Sequence, residues 1–140
     1  VLEGSEVEIT YTKNDWFVDF NAAKSRGKVN RSSAPFNFAT GDSLQISVGT
    51  NLRNDTLNPT FEIYHAPAFN RTSATSGALA PSKPYTLCNL RVGYLPNSGP
   101  LKGFEVRAAV ENIANVTYRA YGNERNGPGQ NIKLTIGKTF

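Results

Sequence analysis

The chain has 140 residues, enough for one domain with a core, and 11% aromatic with only 39% hydrophobic residues at a mean hydropathy of -0.40 suits strands and polar turns better than packed helices. No run of about 18 apolar residues occurs, which excludes a transmembrane helix, although a membrane strand needs only about 10 residues, half of them facing water. The net charge of +4 comes from Lys and Arg spread singly among acids, which argues against nucleic-acid binding, and the lone Cys88 excludes an intrachain disulfide or a cysteine metal cluster.

The opening VLEGSEVEI has no initiator Met, basic n-region or apolar h-region, so the chain reads as a segment of something longer. From there apolar residues recur at every second position, the period of a strand with two unlike faces. Val7, Ile9 and Tyr11 share one parity and Glu6, Glu8 and Thr10 the other. A turn at Lys13–Asp15 precedes Trp16, Val18, Phe20 and Ala22, which alternate with Phe17, Asp19, Asn21 and Ala23. Beyond a loop-like stretch from Val29 to Thr40, Leu44, Ile46 and Val48 alternate with Ser43, Gln45 and Ser47. A turn at Asn51–Thr56 leads to Phe61 and Ile63, interleaved with Thr60, Glu62 and Tyr64.

A Ser/Thr/Ala/Pro-rich connection, Ala66–Pro84, precedes Cys88, Leu90, Val92 and Tyr94, which alternate with Asn89, Arg91 and Gly93. After the turn PNSGPLKG, Pro96–Gly103, Phe104, Val106, Ala108 and Val110 oppose Glu105, Arg107 and Glu111. A Gly/Asn-rich loop, Gly122–Gly129, then leads to NIKLTIGKTF, where Ile132, Leu134, Ile136 and Phe140 share a face. The pattern predicts an all-β antiparallel meander of about seven strands.

Mid-strand charges such as Glu8, Asp19, Glu105 and Arg107 fit either a soluble sheet with one wet face or the wall of a water-filled barrel. Connection lengths discriminate. Short links near 13, 53 and 99 alternate with long ones near 35, 75 and 125, as the short periplasmic turns and longer external loops of outer-membrane barrels do.

The stretch FEVRAAVENIANVTYRAY, Phe104–Tyr121, followed by GQNIKLTIGKTF, resembles the closing strands of TonB-dependent outer-membrane receptors. Glu111, Asn112, Ile113, Asn115 and Tyr118 match that family's E/D-N-(apolar)-x-(N/D)-x-x-Y signature. YTLCNLRVGY is similar to its preceding strand, with Asn89 where Asp is common. Leu134, Ile136 and the terminal Phe140 match the signal read by the barrel assembly machinery, and Lys138 departs from it, though a lysine near the interface can snorkel. Asn112 and Asn115 also read simply as turn or bulge residues.

The resemblance implies that residues 1–140 are the C-terminal part of a transmembrane β-barrel of about 22 strands in the outer membrane of a Gram-negative bacterium. Loops 29–40, 66–84 and 119–130 would then face outward. The plug domain, the TonB-coupling motif (the TonB box) and the earlier strands would lie upstream, with outer-membrane lipid and the TonB complex as partners. The implied function is uptake of an iron-containing ligand. GQNIK and YRAY favour haem or haemoglobin over a ferric siderophore, and the haem or ferric chelate would be cargo, with no intrinsic cofactor. His65, with Tyr64 and Tyr121 as neighbours, is the candidate ligand-binding set. Parity places His65 with Phe61 and Ile63 on the expected lipid side, which favours a structural or interfacial role unless Pro67 redirects the chain.

With one histidine and no nucleophile elbow, phosphate loop or paired-histidine motif, the chain is not expected to be an enzyme or to hold a metal. A soluble β-sandwich binding or adhesion module would explain the strands but not the terminal signature. The sequons at Asn30, Asn54, Asn70 and Asn115 are read as chance in an Asn-rich chain.

Overall fold

A computed structural model describes residues 2–27, 41–69, 81–123 and 125–139. Seven strands follow in chain order: β1 Leu2–Lys13, β2 Trp16–Gly27, β3 Ser43–Thr50, β4 Leu57–Ala66, β5 Tyr85–Tyr94, β6 Phe104–Glu111 and β7 Asn131–Lys138. They form one sheet in the order β1-β2-β3-β4-β5-β6-β7, each strand antiparallel to the next. This is the expected meander, and no helix occurs among the described residues. Phe140, the loop expected over 29–40 and residues 70–80 of the loop expected over 66–84 lie outside the described residues, and with them Asn30 and Asn70.

Register carries the two-faced pattern across the sheet. Ile9 pairs with Phe20, Phe20 with Ile46, Ile46 with Ile63, Ile63 with Cys88, and farther on Leu90 with Val110 and Val110 with Ile132. A slip of one residue at any of these pairs would move a whole strand's apolar set to the other side.

Burial runs opposite to that of a water-soluble fold. Leu90 is 40% exposed while its neighbour Asn89 is 7% exposed, and Ile132, Leu134 and Ile136 are 76%, 66% and 65% exposed. Among the described residues few apolar side chains are buried, Ala66, Phe69 and Pro96, whereas Ser47, Glu62, Asn89 and Asn112 are all buried. With one apolar and one polar face, the sheet has no hydrophobic core among the described residues, and no second sheet packs on it there as a sandwich requires.

The short turns all lie at one end of the sheet and are tied to their neighbours. Asn51 N–H donates to Asp15 C=O at 2.7 Å, Leu95 N–H to Thr56 C=O at 2.8 Å and Thr139 N–H to Gly103 C=O at 2.8 Å. Asn14 and the run Arg53, Asn54 and Asp55 hold positive φ there. Gly49 is needed for a different reason: a Cβ on it would meet the Phe17 ring at 2.2 Å, so the ring lies flat across the glycine opposite it. Lys138 stacks its ammonium 4.9 Å from the centroid of Phe104, its cross-strand partner, which accounts physically for the lysine in an otherwise apolar row.

Candidate functional site at the long-loop rim

The inner face is built from paired polar groups. Glu62 on β4 accepts hydrogen bonds from Gln45 Nε2 at 2.9 Å, Asn89 Nδ2 at 2.7 Å and Arg91 Nη1 at 2.6 Å. Arg107 pairs with Glu105, and Lys133 reaches Glu111 at 2.7 Å. Each strand-borne cation of this face, Arg91, Arg107 and Lys133, therefore has a carboxylate partner. At 9% exposure Glu62 would be costly alone, and its three donors supply the compensation a buried carboxylate needs.

Asn89 also joins this wall to the loop after β6, because its Oδ1 accepts the N–H of Asn112 at 2.8 Å. The signature residues make a folded staple. Asn112, 3% exposed with φ 50°, accepts from Val116 N–H at 2.8 Å through Oδ1 and donates through Nδ2 to Val116 C=O at 2.9 Å and Pro128 C=O at 3.2 Å. Asn115, also at φ 50°, accepts Gln130 N–H at 3.0 Å, and Gln130 Nε2 donates to Ile113 C=O at 3.1 Å. Tyr118 lies over Gly127, where a Cβ would fall 2.1 Å from the ring, and Gly127 N–H donates to Tyr118 C=O at 2.8 Å.

Only Glu111 of the signature is in a strand. The apolar alternation stops at Val110 and Glu111, and Asn112, which also reads as a turn or bulge residue, takes the left-handed conformation that short Asx side chains tolerate, so the ladder ends there. The connection between β6 and β7 is thus 112–130, longer than the 119–130 expected.

Above the wall the long connections converge through aromatic rings. Phe69 and Ser82 pair their backbones at 3.1 Å in both directions, extending the β4–β5 hairpin into its loop. Tyr121 packs tilted against Phe69 with ring centroids 3.9 Å apart, and a Cβ on Gly41 would fall 3.7 Å from the same ring. Tyr64 and Tyr85 sit 6.2 Å apart, and Tyr85 and Tyr118 4.7 Å apart. Two adjoining cavities of about 300 Å³ each share Tyr85. One lies between Tyr64, Phe69 and Tyr121, the other between Lys83, Tyr118 and Arg119. Burial raises the Tyr121 hydroxyl above the ordinary tyrosine range.

At the margin of the first cavity Arg26 forks onto Asp42, with the Nη2–Oδ2 arm at 2.7 Å, and Ser25 N–H lies 3.4 Å from the same carboxylate. The Arg26 hydrogen bonds hold the Asp42 carboxyl below its usual range against a smaller opposing effect of burial.

Of the three candidate ligand residues, Tyr64 and Tyr121 line one cavity. His65 is on the other face, paired with Leu44 and Thr86, its Nδ1 2.9 Å from Thr86 Oγ1. Tyr85 and Tyr118 join the cluster without having been singled out as ligand residues. Tyr85 shares its parity with Asn89 and Arg91, a signal for the inner face that was present in the sequence. Of the residues expected to form the assembly signal, Leu134 and Ile136 lie on the apolar face of β7.

No family model matches the chain. TonB-dependent heme receptor A of Haemophilus influenzae is 33% identical over 76 residues, a match that covers 54% of this chain and 10% of that protein. The chain therefore corresponds to a small part of the curated relative it matches.

Proposed function

We propose that the chain is the C-terminal, wall-forming segment of a TonB-dependent outer-membrane receptor whose cargo is an iron-containing ligand, with haem or haemoglobin favoured over a ferric siderophore. In this reading it acts by binding and transport and not as an enzyme. The observation that carries it is the inverted burial of a single sheet, with hydrocarbon required on the Ile46, Leu90 and Ile132 side and water or protein on the Glu62 side. The likeness to the Haemophilus receptor supports the same family and is the ground for preferring haem.

The missing strands would complete the wall, a plug would occupy its polar side, and TonB would supply the energy through the upstream part. In water the segment alone would expose its apolar band and two unpaired edges, β1 and β7. The test has two arms. The full-length protein should fractionate with the outer membrane and support TonB-dependent growth on haem as the iron source. Residues 1–140 expressed without detergent should aggregate. A cooperatively unfolding soluble monomer would overturn the membrane reading and favour a soluble binding module.

A further inference from the structure

We propose that Asn126 is a site of spontaneous conversion to aspartate and isoaspartate, held shut by Tyr118 and reactive only when the connection between β6 and β7 opens. The inference goes beyond the receptor reading and does not depend on it.

Asn126–Gly127 is the one Asn-Gly pair in the 140 residues. Asparagine is thermally labile, and most so before glycine, where no Cβ crowds the backbone nitrogen that must attack the side chain. In that step the Gly127 nitrogen gives its proton to solvent base and bonds to Cγ of Asn126, and ammonia leaves. Water then opens the five-membered imide. Cleavage of the Cγ–N bond gives aspartate, and cleavage at the Asn126 backbone carbonyl leaves the main chain running through the side chain as isoaspartate. The net change is water in and ammonia out, with no oxidant or cofactor.

Here the space that glycine leaves open is filled. A Cβ on Gly127 would fall 2.1 Å from Cζ of Tyr118 and 2.5 Å from its Cε2 and its hydroxyl oxygen, so the ring stands beside the amide where a side chain would otherwise be. Tyr85, its centroid 4.7 Å from that of Tyr118, packs against the same ring. The Gly127 N–H also donates to Tyr118 C=O at 2.8 Å, a hydrogen bond that is lost when the nitrogen gives up its proton. One residue thus covers the nucleophile and holds its proton. A larger residue at 127 would slow the chemistry but would have to displace the ring. Asn126 itself is exposed and lines the cavity beside Lys83 and Arg119.

The product does not refit the closed loop. Isoaspartate lengthens the main chain just before Gly127 and shifts Pro128, whose C=O accepts from Asn112 Nδ2 at 3.2 Å, and either product adds a carboxylate beside Lys83 and Arg119. An opening that lasts long enough for reaction therefore becomes permanent.

The test follows Asn126 by peptide mass spectrometry, which reads the exchange of NH2 for OH, in the full-length protein in detergent and in a free peptide of residues 125–130. The folded protein should react at least about tenfold more slowly than the peptide, equivalent to about 1.4 kcal/mol of closure. Tyr118→Ala should raise the rate several-fold toward that of the peptide, with amide exchange at Gly127 rising by the same factor. Tyr118→Phe, which keeps the ring and the carbonyl, should stay as slow as wild type. Unchanged far-UV circular dichroism and heat-modifiable gel migration establish that the variants fold. If Tyr118→Ala does not fold, Asn112→Gly, which unties Pro128, should raise the rate at Asn126 together with amide exchange over 113–130. Reaction of the wild-type protein at the peptide's rate, a folded Tyr118→Ala protein as slow as wild type, or opening in Asn112→Gly without faster reaction would each overturn the latch. An unreactive peptide would overturn the site itself.

Discussion

The two faces of the sheet differ in what holds their side chains in place. On the apolar face cross-strand rows such as Phe20–Ile46–Ile63 stand side by side yet leave Ile46 and Ile63 more than a third exposed, so further stabilisation must come from outside the chain. On the polar face Glu62, Asn89 and Asn112 are buried by their own hydrogen bonds, and that face is organised before anything covers it. The outer surface asks only for hydrophobicity, whereas the inner one specifies individual partners.

The sharpest way to break this contrast is charge placed by face at constant depth. Leu90→Arg should cost about 2–4 kcal/mol in the full-length protein refolded into lipid, although its neighbour is already an arginine, because Arg91 points the other way onto Glu62. Thr10→Arg, on the polar face opposite Asp19, should change stability by less than about 1 kcal/mol. Equal urea midpoint shifts for the two would mean that the faces are wrongly assigned.

Next in size is Glu62→Ala, which leaves Gln45, Asn89 and Arg91 donors without their acceptor and should cost about 1–3 kcal/mol. A loss below a few tenths would indicate that water replaces the carboxylate without penalty. The Asn112 staple separates backbone from side chain. Asn112→Gly keeps the left-handed φ and loses the hydrogen bonds, while Asn112→Ala loses both and should be the worse by about 1 kcal/mol. Amide exchange should speed up over 113–130 in both variants and stay unchanged in β1 and β2.

The smallest effect is acid opening of the Arg26–Asp42 fork. Because the folded carboxyl lies below its unfolded value of about 3.9, the pair's contribution is complete above that value and is lost as pH falls through the lower, folded one. For a partly exposed pair the contribution is about 0.2–1 kcal/mol, and Asp42→Asn should remove the acid step from amide exchange at Ser25.

Strand rhythm was legible because period-2 patterning is local, and even Pro59 did not disturb β4. The end of β6 was legible in part: the alternation stops at Glu111 and Asn112 and Asn115 read as turn or bulge residues, which their left-handed φ bears out, but the apolar residues of ENIANVTYRAY put the expected start of the loop at 119. Tyr64 and Tyr121 were identified by chain position. Their grouping with Tyr85 and Tyr118 depends on three connections folding over one another, which a one-dimensional reading does not contain. For His65, parity indicated the face on which the structure places it.

The Asn112–Asn115 staple also bears on the order in which the wall forms. β1–β2, β3–β4 and β5–β6 close through short turns, but β7 must find β6 across residues 112–130, and each doubling of a flexible loop adds about 0.6 kcal/mol of closure entropy. By tying Asn112 to Pro128 and Asn115 to Gln130, the staple brings the two ends of that loop together and cuts the effective length to be searched. Three hairpins can thus zip early, with the last strand delivered to its place by a preformed hinge, so that substitutions at Asn112 should slow the docking of β7 more than they slow hairpin formation.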